Sequence, residues 1–222
     1  MRYYFANRQE AGARLADLLA AQGLLHRNAV VLGLLRGGVP VAAPLAMAAR
    51  CQLGALAVRK LGFPSEPELA FGAVATYSLQ SARYLNEKLH ASALQQAGEQ
   101  ALALTTARAQ QQLSTLSETF AEHMPSITGR TVIVCDDGLA TGATMHAALR
   151  VLALQYPQEL IIAVPVSPQY LVNEFLSMAN VVLSLYTPSE FTAVGAYYQE
   201  FDQVSESAVL HILHANDQLH EQ

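Results

Sequence analysis

Five short apolar runs most constrain what this chain can fold into: AVVLGL (29–34), LGALAV (53–58), VIVC (132–135), LIIAVPV (160–166) and VVLSLY (181–186). None alternates polar with apolar residues, so none reads as a strand with one wet face. The segments between several of them read as helices. Asn7 followed by Glu10 fits a capping box, Leu15, Leu18 and Leu19 recur at helical spacing, and Gly23 is a stop signal. VPVAAPLAMAAR (39–50) reads as a helix with Pro40 in its first turn. Strands buried on both faces and alternating with helices predict an α/β fold, a parallel sheet flanked by helices.

The remaining stretches fill in this frame. LAFGAVA (69–75) and ARYLN (82–86) read as shorter strands, as in a hairpin, and LGALAV is closed by Arg59-Lys60. Residues 87–122 are rich in Ala, Gln and Leu and read as one long helix or two shorter ones. Pro125 and Gly129 punctuate its end; a short helix is expected around 169–177 and a last one from Ser205. A length of 222 residues suits one domain. Apolar residues make up 52% and charged residues 14%, an excess that fits a well-buried core or an apolar subunit interface, as in a homodimer.

Charge and cysteines limit the partners. A net charge of −5 argues against nucleic acid. Yet no acidic residue falls between Asp17 and Glu66, where Arg27, Arg36, Arg50, Arg59 and Lys60 lie. That pattern suggests a small anionic ligand, with Arg27 and Arg50 read as solvated charges. Cys51 and Cys135 are isolated and read as buried free thiols. MRYYFANRQE lacks the apolar core of a signal peptide, and the longest apolar run, Val39 to Ala49, is far shorter than the roughly 20 residues that span a bilayer. The expectation is a soluble cytoplasmic protein with no membrane partner.

The stretch VIVCDDGLATGAT (132–144) carries the chemistry. Ligands of open parallel sheets bind beyond the carboxyl ends of the strands, where Asp136 and Asp137 are expected. Adjacent carboxylates are acceptors suited to a vicinal diol, or to a metal approached through water. Gly138 to Thr144 would then turn into a helix whose free N–H groups and positive end favour a phosphate. Thr141 and Thr144 add hydroxyls, and Gly142 allows close backbone approach. A diol reader beside a phosphate cradle matches a ribose 5-phosphate.

This stretch resembles the PRPP-binding motif of type I phosphoribosyltransferases. GLLRGGVPVA (33–42) looks like the family's pyrophosphate loop. VRKLGFPSEPELAFGAVA (58–75) and FTAVGAYYQEFDQVSESAV (191–209) look like a bacterial subgroup described as predicted phosphoribosyltransferases. The resemblance implies the type I fold over a single domain, 1–222: a core over about 28–187, the helical insertion at about 87–122, and a small hood from the N- and C-terminal segments.

It also implies a PRPP-dependent pentosyltransferase that moves the 5-phosphoribosyl group to a nucleobase or small amine and releases pyrophosphate. Mg²⁺ would be held through PRPP and water near Asp136 and Asp137, with no direct protein ligand. Asp136 and Asp137 would meet the ribose hydroxyls; Gly138, Leu139, Ala140, Thr141, Gly142 and Thr144 the 5-phosphate; Leu35, Arg36, Gly37 and Gly38 the pyrophosphate. Family members often carry an unusual cis peptide in that last loop. Arg36, with Arg59 or Lys60, would stabilise the leaving group; Arg36, Lys60, Asp136 and Asp137 are the expected catalytic set. Purine-salvage members often have an aspartate where Ala140 stands, so the acceptor stays unnamed. A loop over Ser65–Leu69 is a lid candidate. The alternatives are a non-catalytic PRPP- or nucleotide-binding regulator and a hydrolase using water. The tail aromatics Phe191, Tyr197, Tyr198 and Phe201 fit equally a stacking platform for a base and hood packing. His211 and His214, three apart, read as an amphipathic helix surface.

Overall fold

The computed structural model describes residues 4–66 and 69–220. Pro67 and Glu68 of the lid candidate therefore lie outside the described residues. The chain divides into two compact units: residues 1–55, 125–140 and 156–222 form the first, and residues 56–124 and 141–155 the second.

The first unit holds helices α1 (Arg8–Ala21), α2 (Gly38–Ala49), α5 (Gln169–Phe175) and α6 (Glu206–His220). Its strands β1 (Val30–Leu34), β5 (Thr131–Cys135), β6 (Glu159–Val166) and β7 (Val181–Tyr186) pair in parallel, in that order. β1 is buried along its whole length, as are Val132–Cys135 and Leu160–Val166. That is why these runs carry no polar alternation. α1 begins with half of the expected capping box: Asn7 Oδ1 accepts from the Glu10 N–H at 3.0 Å, while Glu10 Oε2 accepts from the N–H of Ala6, one residue before the cap, at 3.0 Å. Gly23 ends it with φ +70°. α2 packs on β1, β5 and α1, and α6 packs on α2. Asn216 of α6 accepts from the Leu53 N–H at 2.9 Å, which explains a buried amide among apolar neighbours. Arg27 and Arg50 are exposed, as expected of solvated charges.

The second unit is built differently. β2 (Gln52–Gly62), whose first four residues belong to the first unit, pairs antiparallel with β3 (Ala70–Tyr77), and β3 pairs antiparallel with β4 (Gln80–Leu85). The expected hairpin is present, turning at Ser78 with φ +53°. One expectation needs correction: Arg59 and Lys60 do not close β2. They lie inside it, opposite Val74 and Ala73. Charge ended the apolar run, but strand pairing is a backbone property and continues to Gly62.

α3 (Glu87–Thr119) settles the question of one helix or two, because Gly98 breaks it with φ +79° and ψ +163°. α4 (Ala143–Ala153) packs on β3 and β4. The Tyr84 ring stacks on His146 of α4 with centroids 4.2 Å apart, and the Arg150 guanidinium lies 5.2 Å over the same ring. Arg150 also donates to the Arg83 carbonyl at 2.9 Å. α4 is thus fixed along its length against β4. No described helix is long and apolar enough to cross a membrane.

Both cysteines are free and buried. Burial pushes the Cys51 thiol up to about 11, partly offset by the charge of Arg130, and burial raises Cys135 further. Folding therefore favours the protonated thiol. The associated stability is complete below the unfolded thiol's pKa of roughly 8.5 and is lost as pH climbs toward about 11. Urea midpoints measured from pH 8 to 10.5 should fall more steeply for the wild type than for Cys51→Val. Equal slopes would show that Cys51 does not carry this dependence.

Candidate functional site

The sheet of the first unit presents the ends of β1 and β5 side by side, since Val30 through Gly33 register with Val132 through Cys135. Just beyond β1, the Leu35–Arg36 peptide is cis, the feature that the resemblance implied for this loop. Gly37 and Gly38 then lead into α2. Just beyond β5 come Asp136 and Asp137, each half-buried.

Two glycines bring these ends together. A methyl group on Gly38 would overlap the Cys135 carbonyl oxygen and lie 3.1 Å from the Asp136 Cα. One on Gly37 would overlap Asp137 Oδ2 and stand 2.9 Å from its Cγ. Neither glycine is needed here for a left-handed backbone; both are needed for space. The loop Leu35–Gly38 and the acidic strand end thus meet within one unit.

The two aspartates are held differently. Asp136 Oδ1 accepts from the Asp137 N–H at 2.9 Å. Asp137 Oδ2 takes both Arg8 Nε at 2.9 Å and Arg8 Nη2 at 2.8 Å. Side-chain exposure at this pair is 12% for Arg8 and 16% for Asp137, so water screens it little. Arg8 is the first residue of α1. It also donates to the Asp202 carbonyl at 2.9 Å and lies 3.9 Å over the Phe201 ring. The Tyr198 hydroxyl donates to the Asp137 carbonyl at 2.7 Å. Burial, then the neighbouring Asp137, pushes the Tyr198 hydroxyl well above its ordinary pKa, so it stays a donor.

Chain ends from opposite termini supply these groups. The N–H groups of Tyr4 and Phe5 both donate to the Tyr197 carbonyl at 3.0 Å, and those of Gln199 and Glu200 return bonds to Phe5 and Ala6 at 2.9 Å. Phe5, Ala11, Val166, Tyr197 and Tyr198 form a buried cluster, with Phe191, Val194 and Phe201 packed against it. The tail aromatics take part in this packing. Tyr197 and Tyr198 are core residues, and Phe201 is in contact with Tyr198 and Arg8. Phe191 and Phe201, half-buried, pack against this cluster.

The loop beyond Asp137 continues as the motif requires. The Leu139 N–H donates to the Val166 carbonyl at 2.9 Å, and Gly138 is pressed against Val166 and Val194. Ala140 and Thr141 are exposed. Gly142, with φ +73°, caps α4, and Thr141 Oγ1 accepts weakly from the Ala143 N–H at 3.4 Å. Thr144 is half-buried in the first turn of α4.

The expected site residues therefore fall into two groups. The first unit gathers Leu35, Arg36, Gly37, Gly38, Asp136, Asp137, Gly138, Leu139 and Ala140. The second unit holds Thr141, Gly142 and Thr144 at the head of α4, and Arg59 and Lys60 on β2, half-buried and exposed respectively. Among the described residues, no three His, Cys, Asp or Glu side chains converge as a metal cage. Arg8 was missed from sequence, and Tyr198 was read only as a tail aromatic, without its bond to Asp137. Arg8 stands 129 residues from Asp137, and its only local signal is a place in the capping turn.

Comparison with known proteins bears on this arrangement. The model of the phosphoribosyl transferase domain family matches residues 7–174. The crystal structure of TT1426 from Thermus thermophilus is 37% identical, with a TM-score of 0.73, over 96% of this chain and 98% of that one. MT0597 of Mycobacterium tuberculosis strain CDC 1551, whose phosphoribosyl transferase name is provisional, is 38% identical over 213 residues. Rv0571c of strain H37Rv matches equally. The match covers 94% of this chain but 46% of each of those two proteins, so the chain spans about half the length of the curated relatives it matches.

Proposed function

The chain belongs to the phosphoribosyl transferase domain family, and from that premise we propose that it transfers the 5-phosphoribosyl group of PRPP to a small acceptor, a nucleobase or amine, releasing pyrophosphate. The observation that carries this reading is the meeting of the Leu35–Gly38 loop with the Asp136-Asp137 strand end. A substrate with an anhydride-type leaving group next to a vicinal diol needs an anion loop and an acceptor pair in that proximity.

In this proposal the bond from C1 of the ribose to the pyrophosphate oxygen breaks, and its electron pair leaves with the pyrophosphate. The sugar gains positive character until the acceptor nitrogen bonds to C1. Arg36, half-buried in the loop, stabilises the charge growing on the leaving group. Asp136 and Asp137 orient the diol.

The donor set fits Mg²⁺, a hard cation that commonly uses one or two carboxylates together with substrate phosphates. Asp136 and Asp137 would hold it through water, and the ion would neutralise the pyrophosphate. The N- and C-terminal segments joined at Phe5 and Tyr198 are the proposed hood. A cytoplasmic setting and a homodimer belong to the same reading, with neither nucleic acid nor membrane as a partner.

A panel of nucleobases and small amines, incubated with PRPP and Mg²⁺ and read by pyrophosphate release, tests the proposal. At least one acceptor should give release above the acceptor-free rate. If PRPP bound tightly while the panel stayed silent, the regulator reading would replace transfer.

A further inference from the structure

We infer that the bend in α3 frames a separate ligand site within the second unit, one that takes a small apolar molecule carrying a single carboxylate, held by Arg83. This site shares no residue with the candidate site described above.

Gly98 makes the cleft possible. Its backbone, at φ +79° and ψ +163°, lies in a region that only glycine enters readily, and a Cβ there would meet nothing within 4 Å. The glycine therefore serves the bend, not a close approach. At about 100° per residue, His90 and Gln110 would fall on nearly opposite sides of an unbroken helix. With the bend, both line one cleft of about 620 Å³, within the usual range of small-molecule sites.

The lining sets the chemistry of the ligand. Leu94, 42% exposed, joins Leu102, Ala103 and Ala107 in an apolar wall. The Thr106 hydroxyl donates to the Leu102 carbonyl at 2.9 Å and so adds no donor there. Arg83, exposed on β4, supplies the positive charge. Its backbone is fixed, because it pairs opposite Val74 and its carbonyl accepts from Arg150 at 2.9 Å. Among the described residues, neither Arg83 nor Glu99 forms an ion pair. The next acidic residue along α3, Glu118, is engaged by the Ser114 hydroxyl at 3.1 Å. A planar guanidinium beside an apolar wall suits a carboxylate on an apolar body. Glu99, at the bend, lines the same cleft and disfavours a second negative charge.

Calorimetry on the full chain, with 2-naphthoate as the probe, tests this. The probe should bind with a Kd of about 1 mM or tighter. Uncharged 2-naphthol and the dianion naphthalene-2,6-dicarboxylate should each bind more weakly. Arg83→Gln should weaken 2-naphthoate about 10-fold or more. Ala107→Glu adds a carboxylate to the cleft wall and should abolish binding. Both positions are exposed, so neither substitution removes a buried contact, and thermal unfolding checks that each variant is folded. Absence of 2-naphthoate binding by the wild type would overturn the inference. So would unchanged binding in either variant, or tighter binding of the dicarboxylate or of 2-naphthol.

Discussion

Gly38→Ala should cost about 3 kcal/mol or more of folding stability and remove PRPP binding in the same step. The added methyl would overlap the Cys135 carbonyl oxygen and crowd the Asp136 Cα at 3.1 Å and the Cys135 carbonyl carbon at 3.2 Å. All three are backbone atoms, so no side chain can swing aside. Relief requires the start of α2 to move from the end of β5, which takes the acidic pair away from its loop. For a chain of this size the loss corresponds to a fall of roughly 6–12 °C in melting temperature. Differential scanning calorimetry and a PRPP titration would measure both halves. Gly23→Ala is the contrast: Gly23 has φ +70° and open space around it, so its cost is conformational, about 1 kcal/mol, and far from the site. A Gly38→Ala variant that melts like the wild type would refute the close approach on which the site is built.

Arg36→Ala should leave the fold intact and slow pyrophosphate release by about 10²–10³-fold once an acceptor is in hand. The side chain follows the cis Leu35–Arg36 peptide in a half-buried loop, and its carbonyl accepts from the Val39 N–H at 3.3 Å as α2 begins. That backbone bond survives the substitution, so the loop keeps its path while losing its charge. Arg36→Lys should recover only part of the rate, because a planar guanidinium matches phosphate oxygens in pairs and an ammonium does not. A rate within a few-fold of wild type for Arg36→Ala would take the leaving-group role from this residue. Measuring PRPP affinity alongside separates ground-state binding from the chemical step.

The strands that were legible in sequence were those buried on both faces. β1, β5 and β6 are written as apolar runs because their side chains meet protein above and below the sheet; β7, though read from the same kind of run, is half-buried along its whole length. β2 was read short because Arg59 and Lys60 break hydrophobicity without breaking pairing. The acidic strand end and the glycine turn were legible for a different reason: they form a motif, a fixed order of residue types over a few positions. Arg8 and Tyr198 follow no such order. Each reaches Asp137 only through tertiary structure, across 129 and 61 residues respectively. The tail aromatics were visible as a cluster, but composition cannot say whether a ring faces a ligand or another ring. The structure adds the ring contacts themselves, Phe201 with both Arg8 and Tyr198.

The bonds that join Tyr4–Ala6 to Tyr197–Glu200 have a consequence for the order of assembly. On a growing chain α1 emerges early, and the four parallel strands are complete once Tyr186 has been made. Arg8 then still lacks Phe201 and the Asp202 carbonyl, and Asp137 still lacks the Tyr198 hydroxyl. The acidic pair is therefore synthesised long before its cover, and the site reaches its working shape only when a late segment returns to an early one. Protection of Gln199 and Glu200 amides, whose carbonyl partners Phe5 and Ala6 lie near the other end of the chain, reports completion of that closure.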